Sequence, residues 1–321
     1  MTSEETLNNA IEHLADGISH LKILFVNAYF VETPETEIGS WVLVDTGMPK
    51  SGGKILRFAD KLFGKTRKPT AIILTHGHLD HAGSALFLAE YWNVPIYAHR
   101  LEMPYLTGKS DYPPQDPTVG GPLAFMSRLL SSTGFDLRNR VQQISESGEI
   151  LEMPGWQIIH TPGHTPGHIS LFRKSDKTLL AGDALTTMNS DSWVSVLAER
   201  RGFHPPPAPF TSDWQAARRS VEILAELEPY AVGAGHGKPI RGAKTAQQLK
   251  ELARNFTSPK YGRYINSPAI SDESGVVMLP PPVPDPLLRV AVGASLGMAV
   301  GIGATALTRR QKPNTIEENQ R

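Results

Sequence analysis

Apolar and polar residues alternate along the chain with two different periods, which predicts strands followed by helices. Apolar, β-rich runs that end at turn residues predict strands, and apolar residues spaced three and four apart predict amphipathic helices. The predicted strands cover 21–31, 40–44, 71–74, 95–97, 149–160, 169–180 and 230–233, and the predicted helices cover 54–63, 83–91, 214–227 and 244–255. The first two runs flank a polar segment and predict a hairpin. This rhythm, with its short connections, indicates an α/β (α+β) fold.

Residues 108–134 interrupt the alternation, with Pro and Gly near both ends of the segment. This composition predicts an inserted loop that contains one short helix. Long irregular loops inside a compact domain are commonly functional or mobile. The insertion is therefore a candidate for shaping a binding site.

An uncharged apolar segment, 290–307, follows a proline-rich break at 279–286. As a helix it would span about 27 Å, just enough for a thin hydrocarbon core. Gly293, Gly297 and Gly301 recur at the spacing that lets two membrane helices approach closely. The sequence thus predicts a C-terminal apolar helix over 287–308 that anchors the protein in a membrane and favours a homodimer. The alternative is a flexible or interfacial tail rich in Gly and Ala.

The N-terminal segment is acidic and polar and lacks the basic and apolar regions of a signal peptide. The main folded part is therefore expected in the cytoplasm, with the anchor inserted after synthesis. The positive-inside tendency opposes this orientation, because Arg309, Arg310 and Lys312 follow the apolar segment whereas Arg289 precedes it.

Composition narrows the chemistry that the chain can perform. Lys+Arg and Asp+Glu both number 32, so no net charge draws the protein to nucleic acid. Cysteine is absent, which excludes disulfide scaffolds, thiolate metal sites and cysteine nucleophiles. Any metal ion must therefore be bound by histidine and carboxylate.

A cluster of ligand-type residues follows the predicted strand 71–74. Within Thr75-His76-Gly77-His78-Leu79-Asp80-His81, three imidazoles and one carboxylate fall inside six residues. Imidazole and carboxylate are the ligands that suit zinc, iron or manganese when no thiolate is present. Alternate residues at a strand end can converge on one point, and the next two can turn towards a second point nearby. The cluster predicts a metal site; the alternative is a loop of solvated or backbone-bonded histidines.

Further motifs accompany this cluster in a recognisable order. They are Asp45-Thr46-Gly47 before it, and then Thr161-Pro162-Gly163-His164-Thr165-Pro166-Gly167-His168, Ala181-Gly182-Asp183 and Gly235-His236-Gly237 after it. Together they resemble the metallo-β-lactamase superfamily over about residues 21–253. The resemblance implies an αββα sandwich, in which two mixed sheets pack face to face with helices outside.

The resemblance also implies a centre of two divalent metal ions, with zinc expected first and iron or manganese as alternatives. The implied ligands are His76, His78 and His164 for the first ion, Asp80, His81 and His236 for the second, and Asp183 bridging both.

Three residues have separate expected roles at this centre. Asp80 is the catalytic residue, which accepts and later donates a proton if it keeps one oxygen free. Asp45 is expected to orient the metal loop rather than bind metal. His168 lies four residues after His164, but the surrounding Pro and Gly indicate a loop, so we expect a hydrogen-bonding role for it.

The fold of this superfamily does not settle the reaction. The motifs favour its glyoxalase II-like and lactonase-like branch, in which a metal-bridging hydroxide opens a carboxylic ester, thioester or lactone. The expected partner is accordingly a small acyl or lactone molecule and not nucleic acid. One alternative is a mononuclear iron sulfur-oxygenase, similar to persulfide dioxygenases, on the same fold. A nuclease-type phosphodiesterase is a further alternative that the neutral charge disfavours. No substrate-binding residue is assigned.

The predicted organisation has five parts. They are an N-terminal extension (1–20), a metallo-β-lactamase-fold hydrolase domain (21–265, with the insertion at 108–134), a Pro-rich linker (266–286), the membrane-anchoring helix (287–308) and a polar tail (309–321).

Overall fold

Seven strands form one mixed sheet in the computed structural model, which describes residues 12–130, 132–145, 148–189 and 201–285. In order across the sheet, they are β1 (Glu12–Ala15), β2 (Ile18–Ile23), β3 (Val26–Glu32), β4 (Trp41–Val44), β5 (Ile72–Ile73), β6 (Ile96–Ala98) and β7 (Val141–Gln143). The pairs from β1 to β4 are antiparallel, and those from β4 to β7 are parallel.

A second mixed sheet has five strands within the described ranges. They are β8 (Trp156–His160), β9 (Ile169–Arg173), β10 (Thr178–Gly182), β13 (Ala231–Ala234) and β14 (Ile240–Arg241), in the spatial order β14-β13-β10-β9-β8. β10 and β13 are parallel. Two further hairpins pair β11 (Thr186–Met188) with β12 (Arg201–His204), and β15 (Ile270–Asp272) with β16 (Gly275–Met278).

The helices lie mainly on the outer faces of the two sheets. They are α1 (Gly52–Phe63), α2 (Leu79–Ala82), α3 (Ala85–Trp92), α4 (Met103–Leu106), α5 (Gly121–Ser127), α6 (Trp214–Glu226) and α7 (Thr245–Arg254). The apolar stripes of α1 and α3 share one core with the first sheet, and those of α6 and α7 share another core with the second.

The alternation of side chains in β4 explains the layering. Trp41 and Leu43 point to the helical side, whereas Val42 and Val44 point into a core that both sheets share. Successive side chains of a strand face opposite sides, so a strand buried on both faces has an unbroken apolar sequence. The two sheets thus face each other with helices outside, as the sequence predicts.

Two predicted strands are each divided by a turn in the structure. The run 21–31 is interrupted by a turn at Leu24, whose φ of 59° is left-handed, so β2 and β3 form their own hairpin. The run 169–180 is likewise a hairpin, turning at Lys177 with a φ of 56°. Neither turn is centred on the Gly or Pro that commonly marks one.

The edges of the predicted domain also shift. β1 and the start of β2 precede residue 21, so the first sheet includes part of the predicted N-terminal extension. The predicted linker 266–286 contains the β15–β16 hairpin. The chain divides into two compact units, Met1–Pro281 and Pro282–Arg321, and every element given above belongs to the first.

The prediction of a transmembrane helix is corrected. Among the residues that the structure describes, no helix is long and apolar enough to cross a membrane. The longest, α6, has 13 residues, and at about 1.5 Å per residue it falls well short of the roughly 30 Å hydrocarbon core. The segment 287–308, on which the prediction was placed, lies outside the described residues.

Candidate metal centre

Strand ends and one connection bring the predicted ligands to a single edge of the sandwich. His76 follows β5, Asp183 follows β10, and His236 follows β13. β10 and β13 are parallel, so their carboxyl ends meet at the same edge. His164 lies in the β8–β9 connection, which reaches this edge because β9 is antiparallel to β10.

The first group of ligands consists of three histidines. His78 Nδ1 lies 3.1 Å from His76 Nε2 and 2.9 Å from His164 Nε2. His76 and His164 are buried, whereas His78 is partly exposed. The three nitrogens converge on one point at the surface of the protein.

The second group consists of Asp80, His81 and His236, whose ligand atoms also lie close enough to hold one ion. His236 Nε2 is 3.4 Å from Asp80 Oδ2, and His81 Nε2 is 4.0 Å from Asp80 Oδ1. Asp183 lies between the groups: its Oδ2 is 3.1 Å from His236 Nε2 and 3.5 Å from His164 Nε2. The structure therefore brings all seven predicted ligands together, with Asp183 near both groups.

The geometry fits a metal centre. Metal–nitrogen bonds of about 2.0–2.1 Å, separated by 90° to 110°, place two nitrogens roughly 3.0–3.4 Å apart, close to the separations in the first group. His81 Nε2 and Asp183 Oδ1 are buried without a hydrogen-bond partner in the described structure. Buried polar atoms are nearly always paired, so such orphaned atoms need another partner, and a cation supplies one.

Hydrogen bonds on the far side of the imidazoles fix which nitrogen faces the centre. His81 Nδ1 donates to Asp45 Oδ2 over 2.8 Å, and His236 Nδ1 donates to the carbonyl of Phe25 over 2.9 Å. In both rings the Nε2 lone pair is thereby directed to the centre. This arrangement is typical of metal-binding histidines.

Thr75 and Asp45 extend this support to the first group. The hydroxyl and amide of Thr75 both donate to the Asp45 carboxylate, so the hydroxyl oxygen can accept a hydrogen bond from His76 Nδ1 at 3.1 Å. Asp45 therefore contacts His81 of the second group directly and His76 of the first group through Thr75. Asp45 itself has a left-handed φ of 60°, which sets its side chain under the metal loop.

His168 supports Asp183 through a chain of buried hydrogen bonds. Its Nε2 accepts from the backbone amide of Asp183 over 2.8 Å, and its Nδ1 lies 2.8 Å from Thr161 Oγ1. Thr161 in turn contacts Ser170, whose hydroxyl donates to the carbonyl of Ala181. Burial lowers the pKa of His168 to about 3, so the ring stays neutral and can accept. Both ring nitrogens of His168 are thus used in hydrogen bonds within the protein.

We expect His168→Ala to lower the free energy of unfolding of the metal-free protein by about 2–4 kcal/mol, because it leaves the Asp183 amide unpaired and opens a cavity. Urea unfolding measures this change. The control is His13→Ala at an exposed histidine, where a change within about 0.5 kcal/mol is expected. Equal losses in the two variants would contradict the role of the His168 hydrogen bonds.

The two groups differ in protonation when no metal is bound. In the first group, burial lowers the pKa of His78 to about 4 and those of His76 and His164 well below the ordinary range. In the second group, burial lowers the pKa of both rings, but the neighbouring carboxylates together outweigh burial, Asp183 most and Asp80 with it. They raise the pKa of His236 to about 9 and that of His81 well above its ordinary value. At pH 7 the three histidines of the first group are thus neutral, whereas His81 and His236 are protonated.

Zinc binding at pH 7 is therefore expected to release protons from His81 and His236, since a ligating imidazole must be neutral. Because the pKa of His236 is raised to about 9, the ring keeps its extra proton below that pH, and zinc must displace it. The affinity for zinc should therefore increase from pH 7 to pH 9. Calorimetric titrations in buffers of different ionisation enthalpy count the released protons. Binding without net proton release at pH 7 would contradict the protonation of the second group.

Two residues of the site have no signal in the sequence motifs. Asn27 holds the His236 loop: its amide nitrogen donates to the carbonyls of Ala234 and Gly237, over 2.8 and 2.7 Å. Its backbone amide donates to the carbonyl of Gly235 over 2.8 Å. Glu102, fully buried, contacts loops of the first group. Both are single polar residues that act across long stretches of chain, so only the folded structure identifies them.

Comparison with known proteins identifies the family. Residues 21–236 match the family model described as the metallo-beta-lactamase superfamily. The chain belongs to this superfamily. It is 44% identical in sequence to Probable metallo-hydrolase YflN of Bacillus subtilis (strain 168), in an alignment that covers 76% of this chain and 92% of that protein. The predicted family is confirmed, and the chain is a metallo-hydrolase of this superfamily with a His/Asp cluster that can hold metal.

Two more distant similarities accompany this one. This chain is 31% identical in sequence to the hydroxyacylglutathione hydrolase GloC of Haemophilus influenzae, in an alignment that covers 42% of this chain and 58% of that protein. The crystal structure of the BLEG-1 B3 metallo-beta-lactamase superposes with a TM-score of 0.51 at 20% identity, over 73% of this chain and 95% of that one. The structural likeness shows the fold alone.

Proposed function

We propose that this protein hydrolyses a carboxylic ester, thioester or lactone at a centre of two divalent metal ions, with zinc as the resident metal. The observation that supports the proposal is the pair of ligand groups with Asp183 between them, whose Oδ1 is buried without a hydrogen-bond partner that a cation would supply. Two such ions lower the pKa of water towards neutrality and polarise the carbonyl under attack. His76, His78 and His164 would hold one ion, and Asp80, His81 and His236 the other.

Asp80 is the side chain best placed to move the proton in this reaction. Its side chain is 23% exposed, compared with 2% for Asp183, so substrate and water can reach it. One carboxylate oxygen lies near His81 and the other near His236. We assign Asp80 to receive the proton of the attacking water and to return it to the leaving oxygen or sulfur.

Aromatic side chains flank the two ligand groups and favour an acyl or lactone substrate. The Phe25 ring stacks on His236 with 6.0 Å between ring centroids, and Phe210 lies 5.8 Å from His78. Tyr112, from the insertion, lies 4.6 Å from His78. A polar centre between apolar walls is typical of small-molecule sites. The relative named hydroxyacylglutathione hydrolase supports an acyl substrate.

A panel of thioesters, esters and lactones, assayed beside oxygen uptake, tests the proposal. We expect turnover of at least one acyl or lactone substrate by the zinc-loaded protein, and no substrate-dependent oxygen consumption by protein loaded with iron, since zinc itself has no redox chemistry. Oxygen uptake with a persulfide, without ester turnover, would instead establish the iron sulfur-oxygenase. Turnover of phosphodiesters alone would establish the nuclease-type alternative.

A further inference from the structure

A buried carboxylate connects the two loops that carry the first ligand group. Glu102 ends the short 3₁₀ turn Arg100–Glu102 after β6 and is fully buried. Its Oε2 accepts hydrogen bonds from the amide of Gly77, over 3.0 Å, and from the hydroxyl of Tyr112. Its Oε1 accepts from Thr165 Oγ1 over 2.7 Å and from the amide of Gly167 over 2.8 Å.

The donors to Glu102 are neighbours of the metal ligands in the chain. Gly77 lies between His76 and His78, and Thr165 directly follows His164. Each oxygen of the carboxylate therefore serves one loop. Because both oxygens are engaged by four donors, Glu102 acts through these loops and is not itself a ligand.

Close packing leaves the two loops little freedom to move away from this carboxylate. A Cβ at Gly77 would come within 2.7 Å of Leu106, and a Cβ at Gly167 would come within 2.7 Å of the Glu102 amide nitrogen. Both distances are far below ordinary van der Waals contact, so glycine is required for this approach. The main chain at Gly167 is thereby packed directly against Glu102, and the main chain at Gly77 is packed against Leu106 and Tyr112 beside it.

The second ligand group is supported by other residues. Asp45 holds His81, and the carbonyl of Phe25 and the side chain of Asn27 hold His236 and its loop. None of these hydrogen bonds involves Glu102. The two halves of the centre share Asp183 and also Asp45, which supports His76 through Thr75. Glu102 is hydrogen-bonded to the loops of the first half alone among these two groups.

We propose that Glu102 is a positioning residue for the first metal ion, tying the His76–His78 loop to the His164 loop so that their three nitrogens are preorganised. The inference rests on the proposed two-metal centre. It assigns to Glu102 the affinity of the first group and leaves the affinity of the second group independent of it.

Glu102→Gln is the sharpest substitution because it preserves size. Glutamine has one acceptor oxygen and one amide that only donates. The amides of Gly77 and Gly167 approach different oxygens of Glu102, so one of them must face the new donor. One loop therefore loses its amide hydrogen bond to residue 102 while the other keeps it; the Gly77 amide then retains only the Tyr112 hydroxyl, 2.9 Å away, if it is the one affected. Loss of a residue that orients metal ligands typically costs about 10- to 100-fold in metal affinity.

The experiment measures zinc affinity, by competition with a chromophoric chelator, in full-length chains that keep one ligand group intact. His236→Ala leaves the first group, and His164→Ala leaves the second. We expect Glu102→Gln to weaken zinc binding about 10- to 100-fold in the His236→Ala chain, and by less than about threefold in the His164→Ala chain. Circular dichroism of each metal-free chain establishes that it is folded.

Thr165→Val provides a second variant if the glutamine chain does not fold. It removes a single donor to Glu102, and about fivefold weaker binding is expected in the His236→Ala chain alone. Equal weakening in both backgrounds, or none in either, would overturn the role of Glu102. If neither parent chain binds zinc, the two-metal centre fails and this inference with it. Substrate turnover does not enter the measurement, so an error in the proposed substrate class leaves the test unaffected.

Discussion

Asp183→Asn is expected to lower the hydrolytic rate constant by about a thousandfold, equivalent to roughly 4 kcal/mol in activation free energy. The substitution removes the negative charge between the two ligand groups, where Asp183 Oδ2 lies 3.1 Å from His236 Nε2 and 3.5 Å from His164 Nε2. It also places the NH2 group of asparagine, which can only donate, among side-chain atoms that are predicted to bind metal. Steady-state kinetics on the substrate identified by the panel, at saturating zinc, measures the effect.

The buried charge explains why this effect should be large. Burial by itself disfavours the carboxylate, but His236 and His81 outweigh it and hold the pKa of Asp183 well below its ordinary range. The asparagine keeps the backbone amide that donates to His168, so the fold should persist. Asp60→Asn, at an exposed aspartate of α1, is the matched control and should leave the rate unchanged. A fall of less than tenfold in the Asp183 variant would contradict a bridging role.

Removal of metal by a chelator should abolish hydrolysis, with a rate at least a thousandfold lower, because the attacking water then keeps a pKa far above neutrality. Two equivalents of zinc should restore the activity. The activity should follow occupancy of both groups, since Asp80 belongs to one and His164 to the other. Elemental analysis of the active protein is expected to give close to two metal ions per chain.

The control for chelation is a measurement of whether the metal-free chain remains folded. Circular dichroism should show that the metal-free chain keeps its sheets, because the cores of the two layers contain no metal ligand. A wild-type chain that is folded, metal-free and inactive, and that does not respond to added zinc, would contradict the two-metal centre. Full activity after exhaustive removal of metal would contradict it as well.

Local patterns sufficed for the parts of the fold where the residues themselves repeat a period. β4 is apolar at each of its positions because one face packs on helices and the other on the second sheet. The turns at Leu24 and Lys177 could not be predicted from the sequence, because neither left-handed position is occupied by Gly or Pro. Leu24 is 72% exposed despite being apolar, so its composition suggested a continuous strand.

The sequence by itself determined the chemistry of the centre. The absence of cysteine left histidine and carboxylate as ligands, and the close spacing from His76 to His81 required at least four of them to be neighbours. The motifs around His164, Asp183 and His236 then identified the family. These inferences depend on residue type and short spacing, which the chain displays before it folds.

Only the tertiary structure decided how the ligands are held. Asn27 reaches Gly237 across 210 positions of sequence, and Glu102 reaches Gly167 across 65. A single buried polar residue has no period and no motif, and its partners are backbone groups that every residue carries. The need to satisfy each buried polar group gives Asn27 and Glu102 their roles, and that need arises only when folding removes them from water.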